Sequence, residues 1–365
     1  MEKTIDTIEK TKVVSNIEKE LGKLKNKEFS FMFFVIDTEG SPNGELSYIY
    51  EIALALKRQG YNVKMLHNQK EFIGVKNWMG DEYANLPHFN VEKDGVAISP
   101  SDFLIIPEIY SSVMYQTFIK KMPCKRIALL RNFGYLTEMI QPGVMWADYG
   151  INECIVATEK LENHIKEVFN GVKTHLLLPC VKDKFFNDRK AKNMVINIVA
   201  KNKSDVNRVV KEFFWRYPSY KWVAFRDLRG ISQDKLSEAL DESFATIWID
   251  ENTDFGCTAL EAMASNNLVI GKIPENGPEW LMGEEEFLKD NGIWFYQISE
   301  IYGIIASIIQ SFLHDEIPSF FSDNMKKTLE FYREDIFGKH VMDLFSTLVE
   351  NREKELKMIL SLAKK

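Results

Sequence analysis

The sequence predicts an α/β protein of two doubly wound domains that face each other across a cleft. Its 365 residues exceed the size of one ordinary small domain. Short apolar runs of strand length alternate with helical patterns through most of the chain, which is typical of parallel sheets covered by helices. The alternation stops at a polar stretch, residues 183–193, and then begins again. This stretch is therefore predicted to be the linker between two similar halves.

The first half is predicted to hold a helical segment and a domain with a parallel sheet. Residues 1–28 carry apolar side chains at helical spacing and are expected to pack on the domain, residues 29–182. A strand at Phe31–Ile36 leads into a glycine-containing loop and then a helical pattern. The loop departs from the G-x-G-x-x-G dinucleotide pattern, so we interpret it as backbone that approaches a substrate. Its candidate site residues are Gly40, Ser41, Asn43 and Gly44.

The second half repeats the strand–helix rhythm. Strands are predicted at Val195–Val199 and Trp222–Phe225 within a domain of residues 194–323. The remaining residues, 324–365, are predicted to be helical.

Composition limits the classes of function. The formal net charge of -7 argues against non-specific nucleic-acid binding as the main task. The four cysteines lie far apart without zinc-type spacing, which is typical of a reducing compartment. The N-terminus lacks an apolar signal core, and no apolar run approaches the roughly 20 residues of a membrane span. These features predict a cytoplasmic protein.

The most informative stretch is Ile247–Ala264, an apolar strand, a polar loop closed by Phe255-Gly256, and a helix. A strand–loop–helix of this kind aims backbone N–H groups and a helix N-terminus at a ligand above the strand, which suits a diphosphate. Glu261, one turn into the helix, is placed to accept hydrogen bonds from hydroxyl groups of the same ligand. The alternative is ordinary helix sequence with a solvated glutamate.

This stretch also carries a resemblance to a known family. Asp254–Ile270 resembles the E-x-F-G-x(4)-E-A-M-A-x-G-x-P-V-I motif of the retaining family 4 glycosyltransferases, and residues 31–66, 154–186 and 274–281 resemble further segments of that family. The resemblance implies the GT-B fold: two Rossmann-like doubly wound domains facing a cleft, with C-terminal helices that cross back to the first domain. It also implies that the second domain binds a nucleotide-sugar donor and the first domain an acceptor.

The resemblance assigns the donor residues. It implies that Glu261 holds the ribose hydroxyl groups of the nucleotide. Lys201 and Lys203, just after a strand, would neutralise the diphosphate, and the alternative for both is solvated loop charge. The remaining donor-binding candidates are Arg226, Phe255, Gly256, Cys257 and Thr258.

Two positions depart from the family's pattern. Thr253 stands where the first acid of the E-x(7)-E motif contacts the transferred sugar, and we choose the neighbouring Asp254 as its substitute. Asn132 lies where many relatives carry a histidine near the acceptor. These three residues are the catalytic candidates, and Glu108 and Arg131 join the acceptor side.

The implied reaction moves a hexosyl or pentosyl group from a nucleotide sugar, such as a UDP-sugar, to an acceptor hydroxyl with retention of configuration. No D-x-D sequence occurs, so neither a metal nor a cofactor is expected beside the nucleotide-sugar co-substrate. The acceptor is expected to be soluble: a glycan, a small molecule or a modified DNA base. The DNA alternative depends on a basic cluster, which is otherwise a solvated face: Lys120, Lys121, Lys125, Arg126 and Arg131.

Two other functions stay open. A catalytically degenerate GT-B protein would bind a nucleotide sugar or a glycan as a scaffold, which fits Thr253 and the missing histidine. A GT-B sugar-nucleotide epimerase would need catalytic carboxylates and a histidine in the cleft, and the sequence assigns none.

Overall fold

The computed structural model contains two parallel β-sheets, each with a hydrophobic core on both faces. It describes residues 2–108, 114, 118–187, 191–251, 253, 255–282 and 288–364, with their side chains except those of residues 2–10 and 137–139. None of the helices in these ranges combines the length and the apolar composition needed to cross a lipid bilayer.

The first sheet has seven strands within the described residues. They are β1 Ser30–Phe34, β2 Asn62–His67, β3 His88–Asn90, β4 Phe103–Pro107, β5 Lys125–Leu130, β6 Ile151–Val156 and β7 Lys173–Leu176. The spatial order is β3-β2-β1-β4-β5-β6-β7, with every neighbouring pair parallel. The order therefore reverses between β1 and β4.

The second sheet has five strands in the described part of the chain. They are β8 Asn193–Ala200, β9 Ala224–Asp227, β10 Ser243–Ile249, β11 Leu268–Lys272 and β12 Ile293–Phe295. The order β12-β11-β10-β8-β9 reverses between β8 and β10, and all pairs are again parallel. Strand β9 begins two residues later than predicted, because Trp222 is 55% exposed and lies outside the sheet.

The helices connect the strands or follow them. Their bounds are α1 Glu2–Lys25, α2 Gly44–Arg58, α3 Lys76–Met79, α4 Asp81–Ala84, α5 Phe133–Met139, α6 Glu159–Val168, α7 Lys203–Arg216, α8 Gln233–Glu242, α9 Cys257–Ala264, α10 Ile301–Leu313, α11 Ser319–Leu329 and α12 Glu334–Ala363.

The strands are apolar because both of their faces are buried. In β1, Phe31 and Phe33 enter the core that α2 covers, while Met32 and Phe34 enter the core on the opposite face. Alternating side chains of a strand point to opposite faces, so a strand buried on both sides reads as a continuous apolar run.

The C-terminal helix α12 returns to the first domain. Phe345 is fully buried there, with its ring centroid 4.9 Å from that of Phe31 in an edge-to-face arrangement. Helix α1 packs against α12 and adds Leu21 and Leu24 to the same core. The predicted crossing back of the C-terminal helices is confirmed.

The polar stretch between the two halves is anchored to the second domain. Asp183–Phe185 form a 3-10 turn, and Phe185 is fully buried in the core beside α9 and α11. At the other end, the Lys192 ammonium donates to the carbonyl oxygens of Asp241 at 2.7 Å and Ser265 at 2.6 Å. Both described ends of the stretch are therefore fixed.

A buried ion network ties α12 to the first sheet. The Lys125 ammonium lies 2.8 Å from the Glu153 carboxylate and also contacts Glu355 of α12. His175 contacts Glu153 at 2.8 Å. Lys125 and Arg131 are both buried, so the predicted basic cluster does not form one exposed patch. Lys120 and Lys121 are exposed, and the DNA alternative stays a prediction with a smaller basic surface than expected.

We expect Phe345→Ala to lower the free energy of unfolding by about 3–5 kcal/mol, because it leaves a cavity between α12 and β1. Urea denaturation measures the loss. Met358→Ala is the matched control on the same helix, since Met358 is 66% exposed and its loss should change little. Equal effects of the two substitutions would contradict the packing of α12 on β1.

Glu153 gives the stability a defined pH dependence. Burial alone would raise the pKa of Glu153, but its bonds to His175 and Lys125 prevail and hold the pKa at about 2. A carboxyl whose pKa is depressed on folding stabilises the protein above its unfolded pKa and loses that contribution as the pH falls. The stability difference between wild type and Glu153→Gln should therefore be largest near neutral pH. In urea titrations it should shrink from about pH 5 towards about pH 2; a constant difference would refute the assignment.

Candidate functional site

Both reversals of strand order open into the same cleft. In doubly wound sheets, ligands bind at the carboxyl ends of the strands where the order reverses. Two cavities lie there, each lined from both domains. The Glu261 cavity, about 430 Å³, is lined by Glu261, Glu51 and Gln233 among others. The Arg131 cavity, about 280 Å³, includes Arg131 and Glu45, and it adjoins the first through shared lining residues.

The structure brings most of the predicted site residues to these cavities. Those that line at least one cavity are Asn43, Gly44, Arg131, Asn132, Lys201, Thr253, Phe255, Gly256, Cys257, Thr258 and Glu261. Those that line neither are Gly40, Ser41, Glu108, Lys203 and Arg226. Asp254 lies outside the described residues.

Local structure explains the residues that lie away from the cavities. Ser41 closes a turn with Thr38, whose hydroxyl donates to the Ser41 carbonyl at 2.6 Å. Lys203 is the exposed first residue of α7. The Arg226 guanidinium pairs with Glu242 at 2.9 Å. Direct contact of these side chains with a ligand in the cleft is therefore not supported by their positions.

Gly256 sets the turn between β10 and α9. Its φ is +74°, and a Cβ there would lie 2.6 Å from the Trp248 ring and 3.2 Å from the Trp280 ring. The Trp280 Nε1–H donates to the Phe255 carbonyl at 2.5 Å, and this hydrogen bond holds the turn in place. Only glycine combines this φ with this close approach. The first residue of α9, Cys257, lines both cavities as a result.

Thr253 and Phe255 support the same turn. The Thr253 hydroxyl accepts a hydrogen bond from the Gly256 N–H at 3.0 Å. Phe255 is buried, with its ring edge-to-face on Tyr332 at 5.5 Å. Both side chains thus have a structural role, and a catalytic role for Thr253 stays a prediction.

Glu261 lies half-buried in its cavity, one turn into α9. Desolvation, with a smaller effect of the Glu51 carboxylate, raises the pKa of Glu261 to about 7, against the opposing effects of Lys182, Lys184 and the Thr258 hydroxyl. A carboxyl group with this pKa changes its charge near neutral pH. Its ability to accept hydrogen bonds is therefore sensitive to pH in that range.

Lys201 is the cation that the second domain contributes to both cavities. It follows β8 directly, and its ammonium lies 3.7 Å from the Asp250 carboxylate, which follows β10. The Lys201 side chain is more than half exposed, so it is accessible to a ligand. These two residues come from the two strands at which the order of the second sheet reverses.

Sequence reasoning did not predict a buried polar network at the point where the chain passes from the first domain into the second. The Lys182 ammonium pairs with Glu51 of α2 at 3.3 Å and donates to the Gln233 amide oxygen of α8 at 2.7 Å. The Gln233 amide then donates to the Ser47 hydroxyl at 3.1 Å. No local pattern marks these residues, because their partners are distant in the sequence.

The first domain contributes a second buried pair to the cleft. The Arg131 N–H donates to Glu108 at 3.0 Å, and the Arg131 Nε contacts both carboxylate oxygens of Glu108. Burial raises the pKa of Glu108, while Arg131 acts in the opposite direction. Glu108 therefore orients Arg131, which lines the cavity.

Sequence reasoning also did not identify Glu45, which lines the Arg131 cavity. An acidic residue in the first turn of a helix, as in the sequence Gly44-Glu45, could have signalled it.

These features define the GT-B architecture: two Rossmann-like domains whose strand ends face one cleft. Sucrose-phosphate synthase from Thermosynechococcus elongatus matches with a TM-score of 0.59 and 11% identity, over 88% of this chain and 99% of that chain. HepE from Anabaena, in complex with UDP and glucose, matches with a TM-score of 0.61 and 10% identity, over 87% and 99%. At these identities the similarity shows the fold alone. No family model and no curated protein matches the sequence, so membership of family 4 stays a prediction.

We expect Gly256→Ala to destabilise the protein more than Gly60→Ala. Both glycines have positive φ, but a Cβ at Gly60 meets nothing within 4 Å, so that control costs only about 1–2 kcal/mol of backbone strain. The clash with Trp248 should add about 1–3 kcal/mol in Gly256→Ala. Chemical denaturation of both variants measures the difference, and equal losses would argue against the tight packing of the turn.

Proposed function

We propose that this protein is a glycosyltransferase that moves a sugar from a nucleoside diphosphate sugar to an acceptor hydroxyl group. One observation carries the proposal. A carboxylate, a helix N-terminus and an accessible lysine all line the Glu261 cavity, which lies where the strand order of each sheet reverses. The carboxylate is Glu261 and the lysine is Lys201. A nucleoside diphosphate presents vicinal ribose hydroxyls and an anionic diphosphate, which are the complementary groups.

Each group has a task in the proposed reaction. Glu261 accepts hydrogen bonds from the ribose hydroxyls. The departing diphosphate gains negative charge as the bond to the sugar breaks, and Lys201 with the N-terminal amides of α9 stabilises that charge. A UDP-sugar is the donor we propose first, because HepE, of the same fold, is described in complexes with UDP and UDP-glucose. Transfer with retention and without a metal belongs to this proposal.

A catalytically degenerate binding protein is the second candidate. Its specific support is Thr253, which replaces an acid in the motif and whose hydroxyl is engaged with the Gly256 N–H. Such a protein would bind the nucleotide sugar without turnover. The epimerase alternative gains no support, since no histidine is among the described residues that line either cavity.

Binding of UDP and UDP-glucose should raise the melting temperature of the wild-type protein by mass action.

We expect Glu261→Gln to weaken UDP binding about tenfold or more, because an uncharged amide replaces the acceptor of charge-assisted bonds. Glu238→Gln, an exposed carboxylate on α8 outside both cavities, is the matched control. If Glu261→Gln binds UDP like wild type, or if no nucleotide sugar binds the wild type, the proposed donor site is wrong. Binding of a donor without release of UDP would support the degenerate protein.

The pH dependence of UDP binding offers a separate check. Because burial holds the pKa of Glu261 at about 7, acidification below that value should protonate its carboxylate and weaken binding in the wild type. Protonation of the UDP phosphate groups changes the affinity of both proteins equally, so it cancels from the ratio of their affinities. The ratio of wild-type to Glu261→Gln affinity should therefore fall from pH 8 to pH 6 in isothermal titration calorimetry. A ratio independent of pH would exclude Glu261 as the ribose ligand.

A further inference from the structure

The cations of the Arg131 cavity are already matched by carboxylates. Arg131 is paired with the buried Glu108, and Lys201 lies 3.7 Å from Asp250. Glu45 lines the same cavity and forms no ion pair within the described residues. Among the described residues, the lining of the cavity holds two cations, Arg131 and Lys201, and two carboxylates, Glu45 and Asp250, so it carries no net charge.

Glu45 is held at a defined position. It lies in the first turn of α2, where the Asn43 side chain caps the helix by accepting the Leu46 N–H at 2.8 Å. The Asn132 amide reaches the Glu45 carboxylate from the other side at 3.5 Å. Glu45 is half-buried and is therefore still reachable from the cavity.

Hydrogen-bond donors complete the cavity. Arg131 lines the cavity with a guanidinium group and is 6% exposed. Asn132 and Tyr135 add amide and phenol groups to the lining. The cavity thus offers both donors and acceptors without an excess of positive charge.

We propose that the Arg131 cavity is an acceptor subsite for a neutral polyol, such as an unphosphorylated sugar unit, in which Glu45 accepts hydrogen bonds from the acceptor hydroxyls. This inference rests on the proposed function and specifies its acceptor class. A hydroxyl group both donates and accepts, so it matches a lining that pairs Glu45 with Arg131. When Lys201 is engaged by the donor diphosphate and Arg131 by Glu108, a phosphorylated acceptor or a DNA backbone would be repelled by Glu45 and Asp250.

The electrostatics around Glu45 agree with this assignment. Burial raises the pKa of Glu45, Arg131 and Lys201 oppose that effect, and the Glu108 and Asp250 carboxylates reinforce it. An additional phosphate in the cavity would have to overcome the same carboxylates. A neutral hydroxyl avoids this repulsion.

The test measures UDP release from UDP-glucose, or from whichever nucleotide sugar stabilises the protein, with a panel of acceptors. The panel holds free mono- and disaccharides, the corresponding sugar 6-phosphates, and duplex DNA that contains hydroxymethylated cytosine. We expect neutral sugars to stimulate UDP release above the rate of donor hydrolysis, and sugar phosphates and DNA to stimulate it less. Glu45→Gln should raise the KM for the neutral acceptor about tenfold, while UDP binding is unchanged. It should also reduce the preference for neutral over phosphorylated acceptors.

A purely structural role for Glu45 would not change that preference, so the preference is the decisive measurement. Glu71→Gln removes an exposed carboxylate of the same domain outside both cavities and serves as the matched control. Stimulation only by sugar phosphates or DNA, stimulation by no member of the panel, or an unchanged preference in Glu45→Gln overturns the proposal. If UDP binding itself is absent, the proposed function fails instead, which keeps the two failures distinct.

Discussion

The buried ammonium of Lys182 is the constraint on which the cleft depends. Its side chain is 8% exposed, and a charge buried to this degree is tolerated only with close polar partners. Those partners come from both domains: Glu51 from α2 and Gln233 from α8, with the Tyr83 ring 4.1 Å away. Moving the domains apart would leave the charge unpaired. The network therefore fixes the positions of Glu51 and Gln233, which line the Glu261 cavity.

Contacts elsewhere between the domains limit their relative movement further. The Glu279 carboxylate of the second domain accepts the backbone N–H groups of Glu159 and Lys160 at the start of α6 in the first domain. A carboxylate at a helix N-terminus is favoured by the unpaired amides and the helix dipole. At the far side, α12 carries the chain end back to β1. The facing strand ends are thus held by polar contacts near the cleft and by apolar packing away from it.

Two kinds of packing give the site its precision. In the second domain, buried Trp248 and Trp280 enclose the Gly256 turn, so the start of α9 has one position. In the first domain, Glu108 orients Arg131 and the Asn43 cap fixes Glu45. Binding groups that are held by buried neighbours lose little conformational entropy on meeting a ligand. The cavity is therefore preorganised from both sides of the cleft.

The sequence by itself determined the α/β class, the two-domain organisation and the strand–loop–helix around Phe255-Gly256. These follow from apolar periodicity and from residue types that act locally. It also pointed to Lys201, which follows a strand, and Glu261, one turn into a helix, and both line the cavities. Only the tertiary structure decided that Lys203 and Arg226 lie outside the cavities, that Lys125 and Arg131 are buried in ion pairs, and that Glu45 joins the site. Glu45 and Asn132 are 87 positions apart, and Lys182 and Gln233 are 51 apart. Pairings of this kind depend on the position of whole elements, and no local pattern encodes them.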